Sequence, residues 1–190
     1  MKKNILGFGI LTLLVLLLIM NIFKAEKTSK TALLSSPHTA NDIEVAKIEA
    51  SSESKYAQDF TLTTLQGEQV SLSDYKGKIV ILNFWTSWCG PCKEEMPHMQ
   101  SFSDKHDDIE ILAVNLTSMD LGLDAVKQFV DEFGLTFPIL LDEEDVVGKQ
   151  YSIITIPTSY IIDPKGRIFK EVIGPMDERM LEELVRELKS

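Results

Sequence analysis

Apolar and polar positions divide the chain into three stretches of different texture. Ile5 to Phe23 is a run of nineteen residues without a charge, interrupted only by Gly7, Gly9, Thr12 and Asn21. From Lys24 to about Tyr56 the chain is rich in Ser, Thr, Ala and Lys, and no apolar period persists. From residue 57 onward, short apolar runs alternate with segments of helical period.

The third stretch predicts a domain of strands and helices. Phe60-Thr61-Leu62-Thr63 and Val70-Ser71-Leu72 alternate about Gln66-Gly67, which predicts an opening β-hairpin. Lys78 to Trp85 is nearly continuous apolar sequence, the pattern of a central strand covered on both faces, and Ile109 to Asn115 repeats it. Helices are predicted over about Gly90 to Lys105 and Leu123 to Phe133, the second with Ala125, Phe129, Val130 and Phe133 on one stripe and a stop at Gly134. Asp142 to Gln150 predicts a short third helix. Two strands, Thr158 to Ile162 and Arg167 to Ile173, flank Asp163-Pro164-Lys165-Gly166, whose proline and glycine suit a type I turn. A last helix, Asp177 to Lys189, carries Leu181, Leu184, Val185 and Leu188 inward, with Asp177 as N-cap. Strands alternating with helices predict an α/β domain with a mixed sheet.

The first run, as a helix, spans about 28 Å, close to the ~30 Å hydrocarbon core of a bilayer. A cleaved signal peptide is the alternative, since Lys2 and Lys3 precede the run in either case. The run is longer than a secretory apolar core and gives way to Phe23-Lys24-Ala25-Glu26-Lys27 without a small-residue cleavage pattern. Residues 1–23 therefore read as a single signal-anchor helix and 24–56 as a polar tether, with an end-to-end distance of roughly 30 Å as a flexible coil. Lys24, Lys27 and Lys30 balance Lys2 and Lys3 in the positive-inside count, but with so short a leading segment the N-terminus is expected inside and the domain outside the cell membrane.

Charge narrows the partners. Residues 57–190 hold 12 Lys and Arg against 24 Asp and Glu, a formal charge of −12. So acidic a domain is a poor partner for nucleic acid, and the surplus reads as a solvated surface.

Both cysteines of the chain lie in Phe84-Trp85-Thr86-Ser87-Trp88-Cys89-Gly90-Pro91-Cys92-Lys93. A disulfide between neighbours this close removes little entropy from the unfolded chain, so its expected use is chemical: two electrons held and exchanged, with no cofactor. The motif ends a buried strand and opens a helix, where unpaired N–H groups and the helix dipole favour a thiolate on Cys89. Pro91 is tolerated there because its missing donor has no partner in the first turn. Cys92 lies one step further into the helix. Cys89 is assigned as the attacking nucleophile and Cys92 as the resolving thiol. Cys92, Glu95, Met96 and Met99 fall on one stripe, which its methionines mark as inward, so Glu95 is expected beneath the pair while Lys93 and Glu94 point outward. The plainer reading of both glutamates is that they complement the helix dipole; it is preferred for Glu94 but not for Glu95.

The motif after a buried strand, with Thr155-Ile156-Pro157-Thr158 ahead of the final hairpin, resembles the thioredoxin fold. The anchor and the pattern Phe84-Trp85-x-x-Trp88-Cys89-x-x-Cys92-Lys93-x-Glu95-x-Pro97 are similar to those of the TlpA/ResA-like thiol-disulfide oxidoreductases, over about residues 57–190. The resemblance implies a cis peptide at Pro157, with the Ile156 backbone beside Cys89 to pair with a substrate strand. It implies that Glu95 influences thiol acidity and proton transfer. Asn83 stands where thioredoxins carry a buried aspartate and cannot accept a proton. Trp88, Gly90 and Pro91 are expected on the substrate rim, Trp85 in the core. The Gly90-Pro91 dipeptide matches thioredoxin's and implies a reductant near about −270 mV rather than an oxidant near −120 mV.

Other constellations carry less. His98 is off the inward stripe, His106 ends a polar helix and His38 lies in the tether, so structural or solvent-exposed roles are expected. A zinc site needs about two ligands beyond the cysteines, and a peroxidase needs a peroxidatic cysteine in another pattern. The expected function is a membrane-tethered, extracytoplasmic reductase of protein disulfides, recharged by a membrane thiol-electron donor, with the haem-attachment CxxCH of apocytochrome c a substrate by resemblance. The rivals are an oxidase or isomerase on the same fold, and a tethered binding module whose disulfide is structural.

Overall fold

The computed structural model describes residues 56–190. The predicted anchor over 1–23, and the predicted tether up to residue 55, lie outside the described residues. Among the described residues no helix is long and apolar enough to cross a membrane.

The opening strands β1 (Thr61–Thr64) and β2 (Gln69–Ser71) pair antiparallel across a tight turn in which Gly67 takes φ +88°. Next come β3 (Ile79–Trp85), α1 (Gly90–Ser103), β4 (Ile109–Asn115), α2 (Leu123–Phe133), β5 (Ile139–Leu141), α3 (Val146–Gln150), β6 (Thr158–Ile162), β7 (Ile168–Ile173) and α4 (Glu178–Lys189). The strands form one mixed sheet in the order β2-β1-β5-β4-β3-β6-β7. β3, β4 and β5 run parallel; β6 returns antiparallel to β3, and β5 meets β1 antiparallel.

All seven residues of β3 are buried, because the strand is flanked by β4 and β6 and covered on both faces. Its alternate side chains enter separate cores. Ile79, Ile81 and Trp85 join Cys92, Met96, Met99 and Phe102 of α1, Phe129 of α2 and Leu181 of α4. Val80, Leu82 and Phe84 join Phe60, Leu72, Val147, Tyr151 and Tyr160 on the opposite face. Asn83 sits on the first face, in register with Ser159 on β6. Opposed residues of an antiparallel pair share a face, so this register brings the two polar side chains together beneath α1.

Three differences from the sequence expectation have local causes. β5 was not expected, because three apolar residues show no period; its place comes from pairing with β4 and β1. The helix expected from Asp142 begins at Val146, and the Asp142 carboxylate instead accepts Val146 N at 2.9 Å and Gly148 N at 2.8 Å ahead of it. On α2, Phe129 and Val130 are buried and Phe133 packs against the core as expected, but Val126 is fully buried where Ala125 was expected, and Ala125 is partly exposed. Helix ends follow local chemistry: Gly134 closes α2 at φ +60°, and Asp177 caps α4 by accepting Met180 N at 2.8 Å.

Candidate active site

The end of β3 delivers the cysteines to the head of α1. Cys89 is the N-cap, in an extended conformation that leaves the strand before the helix begins, and Pro91 occupies the first turn. Cys89 and Cys92 form a disulfide with their Cα atoms 5.3 Å apart. Cys89 Sγ accepts the Cys92 amide N–H at 3.2 Å. A backbone donor already points at the sulfur that would carry negative charge, and the helix dipole acts in the same sense. Cys89 is 4% exposed and Cys92 fully enclosed, so Cys89 is the more accessible of the two sulfurs. Gly90, Pro91, Lys93 and Glu94 are exposed, as is about half of Trp88. Trp85 is fully buried against Phe129, their ring centroids 4.5 Å apart.

One turn below Cys92 lies Glu95, with no exposed surface. Its Oε1 accepts the backbone N–H of Met176 at 3.1 Å, and its Oε2 accepts Asn83 Nδ2 at 3.0 Å. Burial pushes the carboxyl up from 4.5 to about 7, against the opposing pull of these two hydrogen bonds. No cation contributes to the shift. A carboxyl poised near neutrality can take and return a proton at working pH, which suits acid–base chemistry beside a thiol. Its charged form also opposes a thiolate nearby.

The Ile156–Pro157 peptide bond is cis. Ile156 is half-buried and packs against both cores. Pro157 O accepts Gly174 N at 2.8 Å, tying this segment to the loop whose Met176 holds Glu95.

A second carboxylate shapes the rim. Asp120 accepts Ser87 N at 2.8 Å, Asn115 Nδ2 at 2.7 Å and Leu121 N at 2.7 Å, and it also accepts the Ser87 hydroxyl. Trp88 Nε1 donates to Met119 O at 3.0 Å. The loop after β4 is thereby joined to the segment leading into Cys89, with Met119 and Leu121 exposed beside Trp88. Sequence reasoning did not single out Asp120, Ser159 or Met176. The one available signal for Asp120 is its place just beyond the end of β4, next to the strand that carries the motif.

His98 is exposed, and His106 stacks on Phe102 and meets Glu182 at 2.8 Å, both away from the cysteines. His38 lies outside the described residues. Among the described residues no group of three His, Cys, Asp or Glu side chains is placed to hold a metal.

A mixed sheet of this order, with a disulfide capping the helix that follows its central strand, defines the thioredoxin-like class. The AhpC/TSA family model matches residues 54–170. The chain is 45% identical over 130 residues to the sporulation thiol-disulfide oxidoreductase A of Bacillus subtilis, a match covering 67% of this chain and 78% of that protein. It is 38% identical over 136 residues to the thiol-disulfide oxidoreductase ResA of Bacillus thuringiensis subsp. konkukian, covering 70% and 77%. The crystal structure of StoA from Bacillus subtilis matches with a TM-score of 0.61 at 44% identity, over 67% of this chain and 96% of that one. The chain belongs to the AhpC/TSA family and, within it, to the ResA- and StoA-like thiol-disulfide oxidoreductases. It is a thiol-disulfide oxidoreductase.

Proposed function

We propose that residues 1–23 anchor this enzyme in the cell membrane, that 24–56 tether it, and that the domain over 57–190 reduces protein disulfides on the extracytoplasmic side. The observation carrying the chemistry is the Cys89–Cys92 disulfide at the head of α1, with a proton-binding carboxyl buried one turn below it.

In the reduced enzyme, Cys89 thiolate attacks a substrate sulfur, an S–S bond forms between them, and the other substrate sulfur leaves as a thiolate. Cys92 then loses its proton to Glu95 and attacks Cys89 Sγ. The enzyme disulfide closes, and the second substrate sulfur departs with its electron pair. Reduction of the enzyme by a membrane thiol-electron donor runs the sequence backward, Glu95 returning the proton to Cys92. Trp88, Gly90 and Pro91 form the surface on which the substrate lands, and the Ile156–Pro157 backbone guides its chain. The haem-attachment CxxCH disulfide of apocytochrome c is the substrate class that the family resemblance favours.

Cys92→Ser tests the assignment: it accumulates a mixed disulfide through Cys89 on non-reducing gels, and normal turnover of that variant overturns it. A reduction potential near about −270 mV supports a reductase, whereas one near −120 mV returns the oxidase reading. Biological activity retained by Cys89→Ser would instead make the disulfide structural.

A further inference from the structure

The buried acid changes charge in a place that water does not reach, and each protonation state needs its own hydrogen-bond partner. Glu95 is fully enclosed, with Met176 N–H on Oε1 and Asn83 Nδ2 on Oε2. The Met176 donor belongs to the backbone and cannot become an acceptor. Oε1 therefore stays an acceptor in both states, and the proton is assigned to Oε2, the oxygen whose partner is a side chain that can present an acceptor. An Oε2–H facing an NH₂ group would set donor against donor, at the cost of an unmade buried hydrogen bond.

Asn83 supplies a way out. Its side chain is fully buried, its Nδ2 donates to Glu95 Oε2 at 3.0 Å and to Ser159 Oγ at 2.9 Å, and its Oδ1 has no hydrogen-bond partner. A half-turn of the amide about χ2 exchanges its two ends. Oδ1 comes to the place where Nδ2 stood, and Nδ2 moves to the place where Oδ1 has no partner, a cost that the new bonds at Oδ1 must outweigh. In its new place Oδ1 accepts from the protonated Glu95 Oε2 and from the Ser159 hydroxyl. Ser159 fits both orientations because a hydroxyl rotates and serves as donor or acceptor, and the β3–β6 register holds it opposite Asn83. An aspartate at position 83 would confront Glu95 with a like charge, and an apolar residue would leave Oε2 unpaired.

We propose that Asn83, seated on Ser159, is a positioning residue for the proton step of disulfide exchange: its amide turns over as Glu95 gains or loses the Cys92 proton, keeping Oε2 paired in both states. The proposal rests on the reading of Glu95 as proton acceptor for Cys92. When Cys92 Sγ–H gives its proton to Oε2, the thiolate closes the S–S bond with Cys89, and the Asn83 carbonyl holds the new O–H until the donor-driven reduction returns the proton. Nothing is oxidised or reduced at Asn83.

The test is the pH profile of mixed-disulfide resolution in the full-length protein, purified in detergent, with a small organic disulfide as substrate. Asn83→Leu removes a charge-assisted donor from ionised Glu95 and a neutral acceptor from the protonated acid. The midpoint of the profile therefore moves upward by about one pH unit, the difference between the two bonds; a static donor would give the larger shift of about two units. In a Glu95→Gln background, where the side-chain amide resembles the neutral acid, Asn83→Leu moves nothing further. A shift that persists in that background, or no shift in the single variant, overturns the proposal. If Asn83→Leu does not fold, the side-chain NH₂ resonances of Asn83 in the unaltered protein decide: they move with the Glu95 titration and stay still in Glu95→Gln, while resonances indifferent to pH overturn it. Wild-type protein inactive on the disulfide at every pH would refute the proposed function itself, an outcome distinct from an active protein with an unmoved profile.

Discussion

Two carboxylates flank the cysteines, and their surroundings give them different work. Glu95, beneath the pair, is fully enclosed and accepts two hydrogen bonds. Asp120, beside the pair, accepts four, from Ser87 N, the Ser87 hydroxyl, Asn115 and Leu121. Around Glu95, burial outweighs hydrogen bonding and the carboxyl holds a proton up to about pH 7. Around Asp120, the donors join two loops and the carboxylate acts as a strut. On the proposed function, burial with only two donors suits Glu95 to carry a proton, while the four donors of Asp120 tie two loops together.

The comparison is tested most severely by rates. Glu95→Gln is expected to slow resolution of the mixed disulfide by about 10²-fold near pH 7 and to remove the inflection of its pH profile, as loss of a general base does; stopped-flow exchange with a small disulfide measures both. Asp120→Ala is expected to leave the shape of that profile intact while lowering stability by about 3 kcal/mol, because Ser87 N and the buried Asn115 amide lose their acceptor. Urea denaturation reads that loss, and a changed pH inflection in Asp120→Ala would erase the distinction between the two acids.

The pH dependence of stability separates them again. The Glu95 carboxyl binds its proton more tightly folded than unfolded, so the native state holds the extra proton between about pH 4.5 and 7. Stability is therefore favoured below that window and falls as pH rises through it, by on the order of 3 kcal/mol. Glu95→Gln should flatten this fall, so that the variant loses less stability than the unaltered protein between pH 4 and pH 8. An unchanged slope would show that the burial of Glu95 is relieved on ionisation.

Smaller effects belong to the rim and to the periphery. Trp88→Ala, which removes an exposed ring joined to Met119 O, should lower kcat/KM for a disulfide-bonded protein about tenfold, the order of one interfacial aromatic, and leave a small disulfide unaffected. Asp177→Ala should cost about 1 kcal/mol through the lost α4 cap and leave exchange unaltered; a slowed exchange would mean that α4 transmits strain to Met176.

Much of this architecture was legible in advance because its signals are local. The continuous apolar run of β3, the stop at Gly134, the Asp177 cap and the inward stripe of Cys92, Glu95, Met96 and Met99 depend on residues a few positions apart. β5 was missed because three residues carry no period, and Val126 took the inward place expected of Ala125 on α2 because the helix faces a core whose exact direction its own residues do not encode. Asp120 and Ser159 were missed because polar residues near strand ends are common, and nothing local marks which of them meet.

The chain by itself determined that two cysteines would meet at a helix head, which face of that helix would be apolar, and that a glutamate would share that face. Spacing along a regular element is enough to decide such things, since a helix repeats whatever its surroundings. Tertiary structure decided what the glutamate would be. The β3–β6 register set Ser159 opposite Asn83, and the loop into α4 returned Met176 to the carboxyl. Enclosure from every side then removed the water that would have kept the acid ionised at neutral pH. Proton affinity depends on all the groups around a site, and those groups are brought together only when distant parts of the chain close over it.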